Sequence, residues 1–200
     1  MTPELIHVES VAARPWRNGG GVTRELLAWP SAREWRVRIS VADIDRDGPF
    51  STFAGVQRWF AVLQGSGVAL TVDGVEHRCT SDGDALAFAG DATTACHLID
   101  GPTRDLNLML RGADGAMLRV TGGKAWRPGS RQCALFARVA GRCHYNGSAL
   151  DVPARALLWF ERAPDALTFG SASASGSSSE ALADPAGWWL AADVANEAVP

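Results

Sequence analysis

Residues 104–110 of this chain read Arg-Asp-Leu-Asn-Leu-Met-Leu. In a strand, alternation puts Asp105, Asn107 and Met109 on one face and the leucines on the other. An acid and an amide on one face of an otherwise apolar strand must be solvated, satisfy each other, or line a polar cavity. Arg36 and Arg58 also stand in apolar strand contexts, and a guanidinium offers a planar fork matched to a carboxylate. Each is equally open to a surface role or to pairing with Asp105 or Glu25. Arg38 reads as a solvated-face residue. The chemistry on offer is recognition of a small anion.

A second polar group lies in Pro15-Trp16-Arg17-Asn18-Gly19-Gly20-Gly21-Val22-Thr23-Arg24-Glu25-Leu26. Three successive glycines are entropically costly, and are justified by backbone at positive φ or by close approach of the main chain to something else. A tight corner leading into a sheet accounts for them, and so does a ligand site. Asn18, Thr23, Arg24 and Glu25 lie within short reach of the glycines. Taken together, Arg24, Arg36 and Arg58 supply positive charge, Asn18, Thr23, Asp105 and Asn107 supply hydrogen bonds, and Trp16 supplies an apolar lid. Such a lining suits a small anionic ligand bearing an amide or imidazole-like group.

Other chemistries have less to work with. Metal binding needs several ligands converging on one ion, whereas His7, His77, His97 and His144 are isolated in the chain. No metal and no cofactor are expected. Gly65-Ser66-Gly67 is a turn, not a nucleophile elbow, and no phosphate-binding glycine pattern is present. Asp105 with Glu25 is the conceivable carboxylate pair for acid-base work. Two rivals to a binding protein follow: a metal-independent isomerase or hydrolase using Asp105 or His97, and a protein that meets a partner chain through residues 15–25.

The elements that must hold these residues are short strands. Residues 35–41 alternate, with Trp35, Val37, Ile39 and Val41 on one face; further runs fall at 59–63, 68–72, 85–88, 94–99 and 106–110. Asp73-Gly74 separates two of them as a two-residue hairpin signal, and Asn146-Gly147 is another corner. The second half repeats the style at 134–139, 149–152, 155–160 and 166–169, with a last strand at 187–191. Residues 170–179 are nearly all Gly, Ser and Ala and read as a surface loop, and the tail from Asn196 as frayed. The class is all-β, in two successive strand sets that suggest two fused barrels.

The chain is 46% hydrophobic with a formal net charge of -3. That balance gives no footprint for nucleic acid, and no apolar run is long enough for a membrane span or a signal segment. Cys79, Cys96, Cys133 and Cys143 form no metal-like cluster and read as buried thiols of a cytoplasmic protein. Monomer and homodimer remain equally open.

Pro15-Trp16-Arg17-Asn18-Gly19-Gly20-Gly21 followed by Thr23-Arg24-Glu25 resembles the signature of the bacterial HutD/Ves family. Trp35-Arg36-Val37, Gly48-Pro49-Phe50-Ser51, Gly55-Val56-Gln57-Arg58 and Arg104 to Met109 follow in the family's order. The resemblance implies a bicupin of RmlC-like jelly-roll barrels, with residues 1–115 as one half and 116–195 as the other. The usual cupin histidine pair is missing around Gln57 to Val62, and His97 falls where a later cupin ligand belongs. Members are associated with histidine utilisation and with binding an intermediate such as N-formylglutamate in a modulating role; the Ves branch carries a stress-related name. Arg17 stands where the family often has lysine, Gln57 where it often has aspartate, and Trp59 where a smaller residue is usual.

Overall fold

The computed structural model describes residues 2–171 and 185–195. Apart from the 3-10 turn Val8–Ser10, the regular elements among them are strands. In chain order these are β1 (Glu4–His7), β2 (Arg14–Pro15), β3 (Gly21–Trp29), β4 (Val37–Ile44), β5 (Gly48–Pro49) and β6 (Val56–Gln64). Then come β7 (Val68–Val72), β8 (Val75–Cys79), β9 (Leu86–Ala89), β10 (Thr94–Leu98) and β11 (Thr103–Arg111). The remainder are β12 (Asp114–Arg119), β13 (Gln132–Ala137), β14 (Gly141–Tyr145), β15 (Ser148–Val152), β16 (Ala156–Phe160), β17 (Leu167–Ser171) and β18 (Gly187–Asp193). The protein is all-β.

Two units divide the described residues. Val8–Arg111 form one, built from a six-stranded sheet in the order β2-β3-β4-β11-β6-β9 and a four-stranded sheet in the order β5-β10-β7-β8. Ile44, Phe60 and Val62 from the larger sheet pack with Val68, Leu70, Cys79 and Cys96 from the smaller. Burying side chains of this size contributes about 1.5–3 kcal/mol each. Inside the larger sheet β11 is central, paired along its length with β4 on one edge and β6 on the other. Between β7 and β8, Asp73 and Gly74 both take positive φ, 46° and 84°. That is the primed hairpin turn the dipeptide predicts, which needs φ > 0 at both central residues.

The other unit holds residues 2–7, 112–171 and 185–195. Its sheets run β1-β16-β13-β18-β12 and β15-β14-β17. Cys133, Leu135, Leu158, Phe160, Phe169 and Trp189 fill its core, with Trp126 stacked on Trp189 at 4.9 Å. Residues 4–7, counted with the N-terminal half in the sequence reading, pair instead with β16. In both units the described ladders form separate sheets with free edges, a correction to the closed barrels expected. Of the Gly/Ser-rich stretch at 170–179, Gly170 and Ser171 complete β17; the rest of it, and the tail from residue 196, lie outside the described residues.

The four cysteines are free and buried. Burial pushes the thiol of Cys79 up to about 11 and that of Cys143 up to about 12, so neither is a thiolate near neutral pH. No helix among the described residues is long and apolar enough to cross a membrane.

Candidate functional site

Strand register arranges three rows across one face of the six-stranded sheet. Thr23, Ala42, Asp105 and Val62 make the first; Glu25, Ser40, Asn107 and Phe60 the second; Ala28, Arg38, Met109 and Arg58 the third. Residues opposite one another on paired strands project to the same side. The register steps by one residue between Glu25 and Leu27, a bulge that brings Ala28 rather than Leu27 into the third row. Phe60 and Val62 belong to the core between the sheets. Beside that core the polar members of the rows open into a cavity of about 520 Å³, a size ordinary for a small-molecule site.

Its floor is Arg58, Asn107 and Asp105, which are 7%, 8% and 1% exposed. Arg58 Nη1 donates to the Ser51 carbonyl at 3.3 Å, and Nη2 donates to Asn107 Oδ1 at 3.3 Å. Asn107 Nδ2 in turn donates to Asp105 Oδ1. A relay therefore runs from cation to acid through one amide. Arg58 Nε and Asp105 Oδ2 are buried with no hydrogen-bond partner among the described residues. The guanidinium of Arg58 also lies against three rings, with Phe88 at 4.9 Å, Phe50 at 5.3 Å and Phe53 at 5.7 Å, geometry that favours a cation over an aromatic face.

Burial lowers Arg58 to about 10, the charge of Asp105 working upward and that of Arg38 downward. It remains a cation at neutral pH. Burial lifts the Asp105 carboxyl well above the usual range, outweighing the Asn107 hydrogen bond and the Arg58 charge, both of which act to lower it. Desolvation works against the charged form of each group.

The rim comes from the turn between β2 and β3. Trp16 Nε1 donates to Thr23 Oγ1 at 2.7 Å, and its ring meets Phe50 edge-on at 6.4 Å. Asn18 Oδ1 accepts from the Gly20 amide at 3.0 Å, closing the turn on itself. Gly19 sits at φ 67°. A Cβ on Gly21 would overlap the Asp43 carbonyl oxygen. The glycines are therefore explained by a tight corner, and that corner presents Arg17 and Asn18 to the cavity.

Of the residues the sequence singled out, Trp16, Asn18, Thr23, Arg58, Asp105 and Asn107 line this cavity. Arg24 and Arg36 do not, and both are corrections. Alternation turns Arg24 to the opposite face, where its Nη1 meets Asp43 Oδ2 at 2.8 Å. Arg36 precedes β4, and its Nε donates to the Arg111 carbonyl at 2.9 Å. Arg38, expected in solvent, is a cavity residue paired with Glu25 at 2.6 Å. Alternation places Arg38 and Ser40 on the face of β4 opposite Val37, Ile39 and Val41, but does not tell which face is enclosed. His97 is an exposed residue beside Asp47, 3.1 Å from its Oδ2, and is absent from the cavity lining. Among the described residues no three His, Cys, Asp or Glu side chains converge.

Behind the cavity wall, Asp43 binds Arg24 and also Arg104, whose Nε lies 2.5 Å from Oδ1. Burial pushes the Asp43 carboxyl upward, but the hydrogen bonds and charges of Arg104 and Arg24 prevail and hold it below the usual value of 3.8. A carboxyl depressed in the folded state stabilises above its unfolded value, and the contribution is lost as pH falls through the folded one. Asp43→Asn should therefore lower Tm at neutral pH by several degrees and flatten the acid limb of a Tm-against-pH curve. An unchanged acid limb would show that other carboxyls carry it.

The HutD family model matches residues 8–167. The chain belongs to the HutD family. It is 42% identical over 108 residues to a 21.2 kDa protein of the hutC 3′ region of Pseudomonas putida, a match covering 53% of this chain and 57% of that one; it thus spans little more than half of that relative. Protein Ves of Citrobacter koseri is 31% identical over 165 residues, 72% of this chain and 84% of Ves. The structure of HutD from Pseudomonas fluorescens superposes with a TM-score of 0.77 at 25% identity, covering 96% of this chain and 98% of that one. A cupin 2 conserved barrel domain protein from Leptotrichia buccalis gives 0.53 at 9% identity over 98% of each chain, which speaks to fold alone. This HutD-family chain thus has a cupin-like fold.

Proposed function

We propose that this chain is a bicupin that binds a small anionic metabolite in the cavity of its first unit and so modulates histidine utilisation. N-formylglutamate is the occupant we favour. The observation that carries the reading is the buried Arg58 guanidinium, with an Nε–H unmatched among the described residues at the floor of a cavity. Charge agrees with it. Arg14, Arg17, Arg38 and Arg58 all line the cavity, while Glu25 is engaged by Arg38. A buried, preorganised guanidinium beside a relay of donors suits a carboxylate. The hutC-region relative supports the choice of pathway.

The test is a thermal-shift panel of N-formylglutamate, formiminoglutamate, urocanate, glutamate and histidine, each with and without EDTA. Ligand at 100 times its Kd adds about 2.7 kcal/mol, a rise in Tm of roughly 5–10 °C for a chain this long. The expected result is a selective rise with the acylated glutamate, unaltered by EDTA. A Tm lowered by EDTA would indicate a bound metal instead. No rise with any of the five would favour the reading in which the 15–25 turn meets a partner chain.

A further inference from the structure

We propose that Asp105 serves the cavity as a neutral carboxylic acid, its O–H acting with the Nε–H of Arg58 to select an occupant that presents hydrogen-bond acceptors only, such as a carboxylate. The proposal rests on the anion-binding reading given above and adds to it a specificity-determining residue and a proton requirement.

The geometry around Asp105 supplies the argument. Its row neighbours are Ala42 and Val62, with Thr23 one strand further, so the residues beside it carry no charge. Oδ1 is committed to Asn107 Nδ2, and Oδ2 has no partner among the described residues. Arg58 reaches the acid only through Asn107, whose amide takes one hydrogen bond from the guanidinium and gives one to the carboxyl. A buried carboxylate is tolerated when it is paired and fully hydrogen-bonded; this one has neither a direct cation nor a second donor.

Of the charged and titratable groups around it, Arg14 of β2 and Arg17 of the following turn line the same cavity. From β6 comes Arg58, while β4 and β3 contribute Arg38 and Glu25 as an ion pair. Across the core lies Cys96 of β10, a thiol that burial pushes up to about 12 and that is uncharged at neutral pH. Asp43, held by two arginines on the far face of β4, adds only negative charge, which further disfavours ionising Asp105. Burial supplies the larger push in the same direction. With Asp105 neutral and Arg58 charged, the floor carries one positive charge, and the Arg58 Nε–H and the Asp105 O–H are both unspent donors. Were Asp105 ionised, its Oδ2 would repel a carboxylate and the floor would be neutral. An ammonium or amine group would then be the better occupant.

The sign of the linkage follows. The complex with an anion keeps the Asp105 proton, so affinity is constant below the pKa of Asp105 and falls above it, by up to about tenfold per pH unit. The test is isothermal titration of N-formylglutamate, with acetate as a minimal carboxylate and methylammonium as the opposite charge. Titrations run from mildly acidic pH to about pH 9, below the range in which burial lets Arg58 itself lose its charge, on the full chain and its Asp105→Asn and Asp105→Ala variants. Infrared difference spectra of wild type against Asp105→Asn read the protonation state without any ligand.

The proposal expects a neutral-acid carbonyl band at neutral pH in the wild type and carboxylate affinity that declines in the alkaline range. It also expects Asp105→Asn, which keeps a donor in place, to bind within a few-fold and with that decline abolished. Asp105→Ala should weaken binding at least about tenfold, the order expected when a buried charge-assisted hydrogen bond is lost. An ionised-carboxylate band at neutral pH, methylammonium binding, or an alkaline decline that persists in Asp105→Asn would overturn it. A neutral-acid band with no carboxylate bound at any pH would also overturn it, and would place the failure in the anion-site reading rather than in the state of Asp105.

Discussion

Exchanging Arg58 for methionine should remove carboxylate binding and leave the fold about as stable as before. The binding loss follows from deleting the buried cation at the cavity floor. Truncating one partner of a buried, hydrogen-bonded charge pair costs about 2–5 kcal/mol, roughly thirtyfold to several thousandfold in Kd. The stability result is less intuitive and rests on what the guanidinium leaves unmet. Its Nε–H is buried without a partner among the described residues, a penalty of about 1–3 kcal/mol for such a donor, and its hydrogen bonds to Ser51 and Asn107 are long at 3.3 Å. Methionine would place a thioether among Phe50, Phe53 and Phe88, where sulfur-ring contacts are favourable. Against this stand the lost cation–ring contacts and two acceptors left without Arg58, the Ser51 carbonyl and Asn107 Oδ1. We expect these terms to cancel to within about 1 kcal/mol, the scale of a tolerated core swap. Denaturant unfolding together with titration calorimetry decides the matter. A loss of stability well above that scale would mean that Arg58 holds the fold together rather than being held by it for binding.

Gly21→Ala is expected to be the most damaging of three neighbouring substitutions. A Cβ at Gly21 would overlap the Asp43 carbonyl oxygen and lie 3.2 Å from its carbonyl carbon. Both obstacles are backbone, in the strand that carries Ala42 and Ser40 into the cavity. Relief requires the first pairs of β3 and β4 to separate, which would displace Thr23 and Glu25 from their rows. We expect a loss above about 3 kcal/mol, in the range reserved for substitutions that break packing outright. Gly19→Ala should cost only about 1 kcal/mol. Its φ of 67° is unfavourable for a residue with a Cβ, but nothing stands within 4 Å. Gly20→Ala meets the Asn18 side chain at 3.3 Å, a neighbour that can rotate away. Melting temperatures of the three variants should therefore fall least at 19 and 20 and most at 21. Equal losses at all three would mean that the glycines serve chain flexibility rather than one close approach.

How much of this could be read beforehand depends on how local the cause is. The faces of β11 follow from alternation alone, so Asp105, Asn107 and Met109 were legible as a group. The Asp73-Gly74 hairpin is set by two residues and was equally plain. Thr23 and Arg24 were both assigned to the pocket, which two consecutive residues of one strand cannot satisfy; the structure keeps Thr23 and turns Arg24 to Asp43. Trp35 was grouped with Val37, Ile39 and Val41, but β4 begins at Val37 and alternation does not extend back across the loop. Trp35 packs instead with Met109, near Arg38. The cavity role of Arg38 needed knowledge of which side of the sheet is enclosed, and the pairing of residues 4–7 with β16 joins segments far apart in the chain. Neither has a local signature.

The bulge in β3 bears on how chain length can vary here. Two ladders meet at Leu26, with Glu25 opposite Ser40 before it and Leu27 opposite Ile39 after it. A chain one residue shorter at that spot would join the two ladders into a regular strand, and every remaining residue would keep both its partner and its side of the sheet. Removing a residue from the middle of either half would force the intervening positions to slide, exchanging inward for outward side chains. The wall of the cavity thus contains a seam at which length is decoupled from lining, so insertions and deletions can be accommodated there without rewriting what the cavity presents.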